Sequence, residues 1–572
     1  MIGREQIMKR IYEKRPFKIR NADEYDLKQI LSLFVSPLTG LTSPFDFENN
    51  IVKGRMGSGK TMFLRANHAY HLYNLVPRII ENTELILPVF IRLSDFQHIK
   101  EPSKIYNAII IKIVEELSSI YLDLQDAKKM AKIHQGIQGL PNVLFSEGKL
   151  SNTLSQLSRL GSEEYIERIS SELGIGGGVK AKFLELSAKY KMEHLQEFKK
   201  KVNPGVKDIE EAYKNLIEDQ QGKILLLIDE AGSLDRQFFK GANNDSFFEI
   251  LMNQFRTSSY IRSKIAIYPN SYQDILTETR YGDVVKLEEN IFDPDGYKSF
   301  RKKSISLITN YLSVDEDEDY IPASKIFELK EKEEFGDCLE QLINGSDGNI
   351  RRLIQLLDSV MNVAYSEHNG DGNINLDHAM NALKDHSHQT EGLYTQPDQE
   401  FLSTIQQTCK ARGAYKFQFP NMSITLNKFT SKSQEHNLLK IIEMGTGSRG
   451  NTYAFDYCYC LAHDIPTHHI ENSEKILKDR SLLNGKWITR TAKISEELLK
   501  HASIANKITG AIDFMSGDAG FIKGNDDLLY YFSKQFIIEE DKEKTLHFGK
   551  EVRFIPVIFG ENNLMAQSIE VL

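Results

Sequence analysis

Eight residues, Gly54-Arg55-Met56-Gly57-Ser58-Gly59-Lys60-Thr61, constrain this chain more than any other segment. They form a GxxxxGK[ST] pattern, entered from a short apolar segment, Ile51-Val52, and left through a helical stretch over 61–73. Glycines let consecutive backbone N–H groups turn inward around phosphate oxygens, so Gly54, Gly57, Ser58 and Gly59 form a cradle. Lys60 can reach the outer phosphates and the Thr61 hydroxyl can hold Mg²⁺. The helix that starts there adds its positive dipole end. A strand, a phosphate loop and a helix in this order imply an α/β core.

A phosphate loop needs carboxylates from a second strand. Ile224-Leu-Leu-Leu-Ile228 is an apolar run that ends in Asp229-Glu230, as a buried parallel strand would. Asp229 at the end of that strand can hold Mg²⁺ through water, and Glu230 can polarise the attacking water. A third strand candidate, 264–268, runs into Pro269-Asn270-Ser271. Asn270 could orient a water near the γ-phosphate, or it could simply cap a turn. Further on, Ile350, Leu353, Leu357 and Val360 recur at helical spacing, which leaves Arg351 or Arg352 near a helix start, facing outward.

These four pieces, in this order, resemble the AAA+ P-loop ATPases over about 45–390. The Gly348-Asn-Ile-Arg351-Arg352 helix start, followed by a long helix and the Ile374–Leu383 segment, is most similar to the origin-recognition-complex-like branch. That resemblance implies ATP and Mg²⁺ as cofactors. It makes Lys60 and Thr61 Walker A, Asp229 and Glu230 Walker B, Asn270 sensor 1, and Arg351 or Arg352 sensor 2. Arg280 sits where such proteins often carry an arginine finger, which would act in trans in a homo-oligomer.

Lys60 and Asp229 lie 169 residues apart, several times a βαβ crossover of roughly 30 residues. Residues 85–93 read as the next sheet strand and 105–122 as its helix, so about 124–205 is expected to be a helical insertion. It carries a Gly174-Ile-Gly-Gly-Gly178 break and a Lys199-Lys200-Lys201 run. It reads either as a solvated helical hairpin or as an appendage that faces a partner, an effector or DNA.

Charge is unevenly spread. The net −9 hides seven Lys/Arg against two acids in residues 1–20, and fourteen against nine in 401–504. Residues 505–572 carry seven against eleven, a local −4. The N-terminus has no apolar stretch of a secretory signal, no apolar run approaches a membrane span, and four cysteines without a CxxC pair point to a reducing, cytoplasmic setting.

Residues 396–504 read as a helical domain similar to a winged helix, with helix-like stretches at 437–444 and 453–463. A candidate recognition helix over 472–483 carries Lys478 and Arg480. Asn484-Gly485 then turns into a candidate wing with Lys486 and Arg490. Cys458, Cys460 and His463 have zinc-ligand chemistry, but their spacing fits a buried apolar helix better. The tail, 507–572, has short strand-like runs separated by Gly/Asp turns, the pattern of a small all-β barrel. It resembles a cold-shock domain, an OB-fold, through Ala519-Gly-Phe-Ile522 and Leu529-Tyr-Tyr-Phe532. The resemblance implies that Phe514, Phe521, Tyr531 and Phe532 form a stacking platform for single-stranded nucleic acid.

The expected organisation is a basic segment (1–45), an AAA+ core (46–295), a helical lid (296–395), a winged-helix-like α/β region (396–504) and an OB-type barrel (505–572). The expected function is an ATP-hydrolysing switch, with ATP bound between core and lid, that controls nucleic-acid engagement by the C-terminal modules. Duplex would bind at the winged helix and single strand at the barrel. The alternative is a signalling or anti-phage-defence NTPase that senses an invader molecule or controls a partner effector protein.

Overall fold

The computed structural model describes residues 4–120 with short gaps, 222–234 in part, 247–268, and 282–313 apart from Phe292. It also describes 321–329, 337–419, 426–430, 437–443, 451–467, 482–494 in part, and 507–572 with short gaps. The expected insertion at about 124–205 lies outside the described residues. The chain divides into two compact units. One holds Asn21–Gly54 and Ser58–Glu288; the other holds Met1–Arg20, Arg55–Gly57 and Glu289–Leu572.

The first unit is built on a five-stranded parallel sheet, in the order β2-β3-β4-β1-β5. Its strands are β1 (Asn50–Lys53), β2 (Leu85–Arg92), β3 (Gly222–Asp229), β4 (Ile261–Ile267) and β5 (Asp283–Lys286). This is the parallel α/β arrangement that a P-loop core requires. Strand β3 shows why the apolar run reads as it does. Ile224, Leu226 and Ile228 join one core cluster, while Leu225 and Leu227 join another on the opposite face. A parallel strand covered on both faces cannot alternate polar with apolar. The helix Lys60–Tyr73 supplies Phe63 and Leu64 to the second cluster. Helical turns within 104–120 bury Ile105, Ile109, Ile110, Ile113 and Ile120 in the first.

In the second unit, the helices Pro294–Ser313, Cys338–Gly345, Ile350–His368 and Leu376–Glu391 follow one another. The basic N-terminal helix Arg4–Lys14 belongs with them. Tyr12 donates to the Gly372 carbonyl, and Arg15 pairs with Asp358 at 3.0 Å. The helix start foreseen near 350 is real: the Asn349 side chain caps it by accepting from Arg352 N–H at 3.0 Å.

The region 396–504 departs from the expected helical domain. It contains the helix Gln396–Ala411 and a four-stranded sheet, β11-β6-β8-β7, formed by β6 (Lys416–Gln418), β7 (Leu439–Glu443), β8 (Thr452–Phe455) and β11 (Thr491–Lys493). The stretch expected as helix over 437–444 is strand β7, paired antiparallel with β8 through Leu439 opposite Phe455 and Ile441 opposite Tyr453. The 453–463 stretch divides into β8 and a short helix, Tyr457–Ala462, because Asp456 interrupts it and caps the helix. Leu482–Leu483 is strand β9, paired with β10 (Lys486–Trp487), and not the end of a recognition helix. Lys478, Arg480 and Arg490 lie outside the described residues, and Lys486 is described by its backbone alone.

The C-terminal five strands are where the sequence places them. They are β12 (Ile508–Ser516), β13 (Ala519–Gly524), β14 (Leu529–Ser533), β15 (Glu551–Phe559) and β16 (Asn563–Val571). They close as β12-β13-β14-β16-β15, with β14 and β16 parallel and β12 pairing β15. A closed five-stranded barrel of this order is consistent with an OB-type barrel. Ile512, Ile522, Tyr530, Phe532, Val552 and Phe554 fill its interior.

Candidate functional site

The phosphate-type loop leaves the end of β1. Gly59 has φ +94°, a left-handed geometry that glycine adopts without cost, and directly precedes the helix Lys60–Tyr73. The helix therefore begins with its first N–H groups beside the loop, the geometry suited to an anion. Lys60 is buried. Its ammonium donates to the Gly54 carbonyl at 2.7 Å and sits 4.1 Å from the centre of the Tyr268 ring. Tyr268, at the end of the third strand candidate, was not singled out from sequence; an aromatic residue just before a candidate sensor position was the available signal.

Asp229 closes β3, two strands away from β1 in the sheet. It is buried, and its Oδ1 accepts from the Glu230 N–H at 2.8 Å. Burial raises its pKa above the usual carboxylate range, against the opposing pull of the Thr61 hydroxyl, the Glu230 N–H and Lys60. Its other oxygen, Oδ2, has no hydrogen-bond partner among the described residues, and neither has the buried Ser58 hydroxyl. An orphaned buried carboxylate oxygen, on a carboxylate whose charged form the Thr61 hydroxyl favours, fits a hard divalent cation with oxygen ligands. Glu230 follows with φ +54°, a left-handed conformation uncommon for a non-glycine residue. The loop, Lys60, Thr61, Asp229 and Glu230 are thus brought together. Asn270 and Arg280 lie outside the described residues.

Arg351 and Arg352 separate. Arg352 does not face outward: it is buried and makes a bidentate pair with Asp456 at 2.8 and 2.7 Å, with the Cys458 sulfur a further 3.1 Å contact. Cys458 and Cys460 are buried, free thiols, pushed up by burial, and the described residues contain no His/Cys/Asp/Glu cluster able to hold a metal. Arg351 is half-buried, and its N–H donates to the Gly57 carbonyl at 3.0 Å.

On the barrel, Phe514 is 55% exposed, Phe521 41% and Tyr531 39%. They lie in one row across three strands, Phe514 opposite Phe521 and Phe521 opposite Tyr531, with the last two rings edge-on at 6.0 Å. Phe532 is 1% exposed and belongs to the barrel core. Neighbouring residues of a strand point to opposite faces, so Tyr531 and Phe532 cannot share a platform. Leu529, also exposed, extends the outer face of β14.

No helix among the described residues is long and apolar enough to cross a membrane. A family model described as ORC-CDC6-like matches residues 15–240. No curated protein matches the chain. Among solved structures, one described as the Aeropyrum pernix ORC2 protein in ADPNP-ADP complexes is similar at 12% identity. That alignment covers 68% of this chain and 70% of the other, with a TM-score of 0.28.

Proposed function

We propose, from the match of residues 15–240 to the ORC-CDC6-like family model, that this chain is an AAA+ ATPase of that kind, which binds and hydrolyses ATP and uses its nucleotide state to control nucleic-acid engagement by its C-terminal modules. The observation that carries the hydrolytic half is Asp229: buried, next to Glu230, and with one oxygen unsatisfied among the described residues. Backbone N–H groups over Gly54–Thr61 cradle the phosphates and Lys60 neutralises charge on the outer two. Thr61 and Asp229 are the residues that would hold Mg²⁺, which when bound supplies further neutralisation of phosphate charge. Glu230 orients and deprotonates the attacking water. Asn270 is assigned to position that water as sensor 1, Arg351 to sense the γ-phosphate, and Arg280 to complete a neighbouring copy's site in a homo-oligomer.

The nucleic-acid half rests on the row Phe514, Phe521 and Tyr531, an exposed aromatic surface on a barrel we read as an OB-fold of the cold-shock type. Such a row stacks bases without needing their sequence. Lys478, Arg480, Lys486 and Arg490 are assigned to duplex contact from a winged-helix-like region. The barrel's local −4 favours a second reading, in which it docks a partner protein in a signalling or defence complex. Measuring ATP turnover with and without single-stranded DNA, duplex DNA or RNA tests the coupling. Stimulation by one of them supports it, and a rate indifferent to all of them while ATP turns over removes the nucleic-acid half.

A further inference from the structure

We propose that Asn349, with Asp347, is a positioning residue for phosphate binding, holding loop residues 55–57 so that the N–H groups of Gly57 and Ser58 are presented to phosphate; this rests on the nucleotide reading above. The turn 347–351 and loop residues 55–57 belong together to the second unit. Each of the three loop residues is gripped by the turn 347–351. The Arg55 guanidinium donates to Asp347 Oδ2 at 3.1 Å and to the Asp347 carbonyl at 3.0 Å. Asn349 Nδ2 donates to the Met56 carbonyl at 2.7 Å, and the Arg351 N–H donates to the Gly57 carbonyl at 3.0 Å.

Two consecutive carbonyls are thereby fixed toward the turn. Across a trans peptide the next N–H points the opposite way, so the Gly57 and Ser58 N–H groups are aimed away from the turn and left to serve an anion. Gly57 is at φ +80°, and a Cβ there would stand 2.6 Å from Asn349 Oδ1, so the grip also needs this glycine.

The turn itself is built to stay in place. Asp347 and Gly348 are both left-handed, at φ +52° and +69°. Asp347 Oδ1 accepts from Lys440 on β7 at 2.7 Å, so its carboxylate joins the loop arginine to the four-stranded sheet. Burial would raise the Asp347 pKa, but Lys440 and Arg55 hold it far below the usual carboxylate range, so the grip keeps its charge. Asn349 uses its two side-chain ends for two tasks: Oδ1 caps the helix and Nδ2 holds the loop.

That division gives the test. Asn349→Ser keeps a capping oxygen and removes the donor, while Asp347→Asn tolerates the left-handed backbone and removes the charge. On the full chain, with folding checked by thermal melting, both variants are expected to raise the dissociation constant and KM for ATP about 3- to 10-fold, the worth of a hydrogen bond or two, with kcat changed less than twofold. Hydrogen exchange in the nucleotide-free protein reads the grip separately: the Arg351 amide is expected to exchange several times faster in Asn349→Ser. ATP binding and Arg351 exchange both at the wild-type level overturn the inference. Wild-type protein that binds no ATP, yet shows the faster exchange in the variant, overturns the nucleotide reading and leaves the grip standing.

Discussion

Arg352 on the helix Ile350–His368 and Asp456, the residue that caps Tyr457–Ala462, are joined by two hydrogen bonds of 2.8 and 2.7 Å inside the second unit. The pair ties a helix start to the sheet region that follows it. Arg352 is therefore engaged within the fold, which is why the proposed phosphate sensing is assigned to Arg351.

Removing one partner of this pair should be costly. Arg352→Ala leaves the Asp456 carboxylate buried and uncompensated, a loss of about 3–5 kcal/mol. Arg351→Ala should change stability by less than about 0.5 kcal/mol and instead slow ATP turnover, since the residue is only half-buried. Urea unfolding and steady-state hydrolysis on both variants separate the roles. Equal stability losses would contradict the division.

The barrel aromatics divide in the same way. Phe521→Ala with Tyr531→Ala should weaken single-stranded DNA or RNA binding more than tenfold, because each stacked base is worth about 1–3 kcal/mol. Its melting temperature should hardly move. Phe532→Ala, a truncation in the barrel core, should cost about 3–5 kcal/mol of stability. Fluorescence anisotropy with a labelled oligonucleotide and thermal melting check both.

Acid should loosen the first unit through His71. This histidine is buried on the helix Lys60–Tyr73, with neither ring nitrogen hydrogen-bonded among the described residues, and burial, with Arg78, Lys264 and His68 adding to it, pushes its pKa down to about 3. The folded state keeps it neutral while the unfolded state protonates near 6.5. Stability that depends on the neutral form is present above about pH 6.5 and is lost as pH falls from there toward 3. Between pH 7 and pH 5 that loss is about 2 kcal/mol. His71→Leu should flatten the pH dependence by that amount in urea melts; an unchanged slope would count against the buried neutral histidine.

The readable parts of the sequence were those with a strict local requirement. The loop 54–61 needs glycines, β3 needs apolar residues on both faces, and the five barrel strands alternate between Gly/Asp turns. What misled was context. Leu438-Leu439-Lys-Ile-Ile-Glu443 has no Gly or Pro and fits a helix or a strand equally. Antiparallel pairing with Thr452–Phe455, the next strand along the chain, makes it a strand. Arg351 and Arg352 look alike until Asn349 fixes the phase of the helix and Asp456 claims one of them. Grouping Tyr531 with Phe532 overlooked the two-residue period of a strand, which was visible in the sequence. The grip of Asp347 and Asn349 on residues 55–57 joins positions almost 300 apart, and neither end advertises it.

The central claim, that Gly54–Thr61 with Asp229 and Glu230 forms a working ATPase site, is tested most directly by Glu230→Gln. Bound nucleotide and released phosphate are measured on the same sample of full-length protein. The account predicts that the variant binds ATP at least as tightly as wild type, that release falls by about 10²-fold or more with the catalytic base gone, and that ATP stays on the protein unhydrolysed. Phosphate release at the wild-type rate would contradict it.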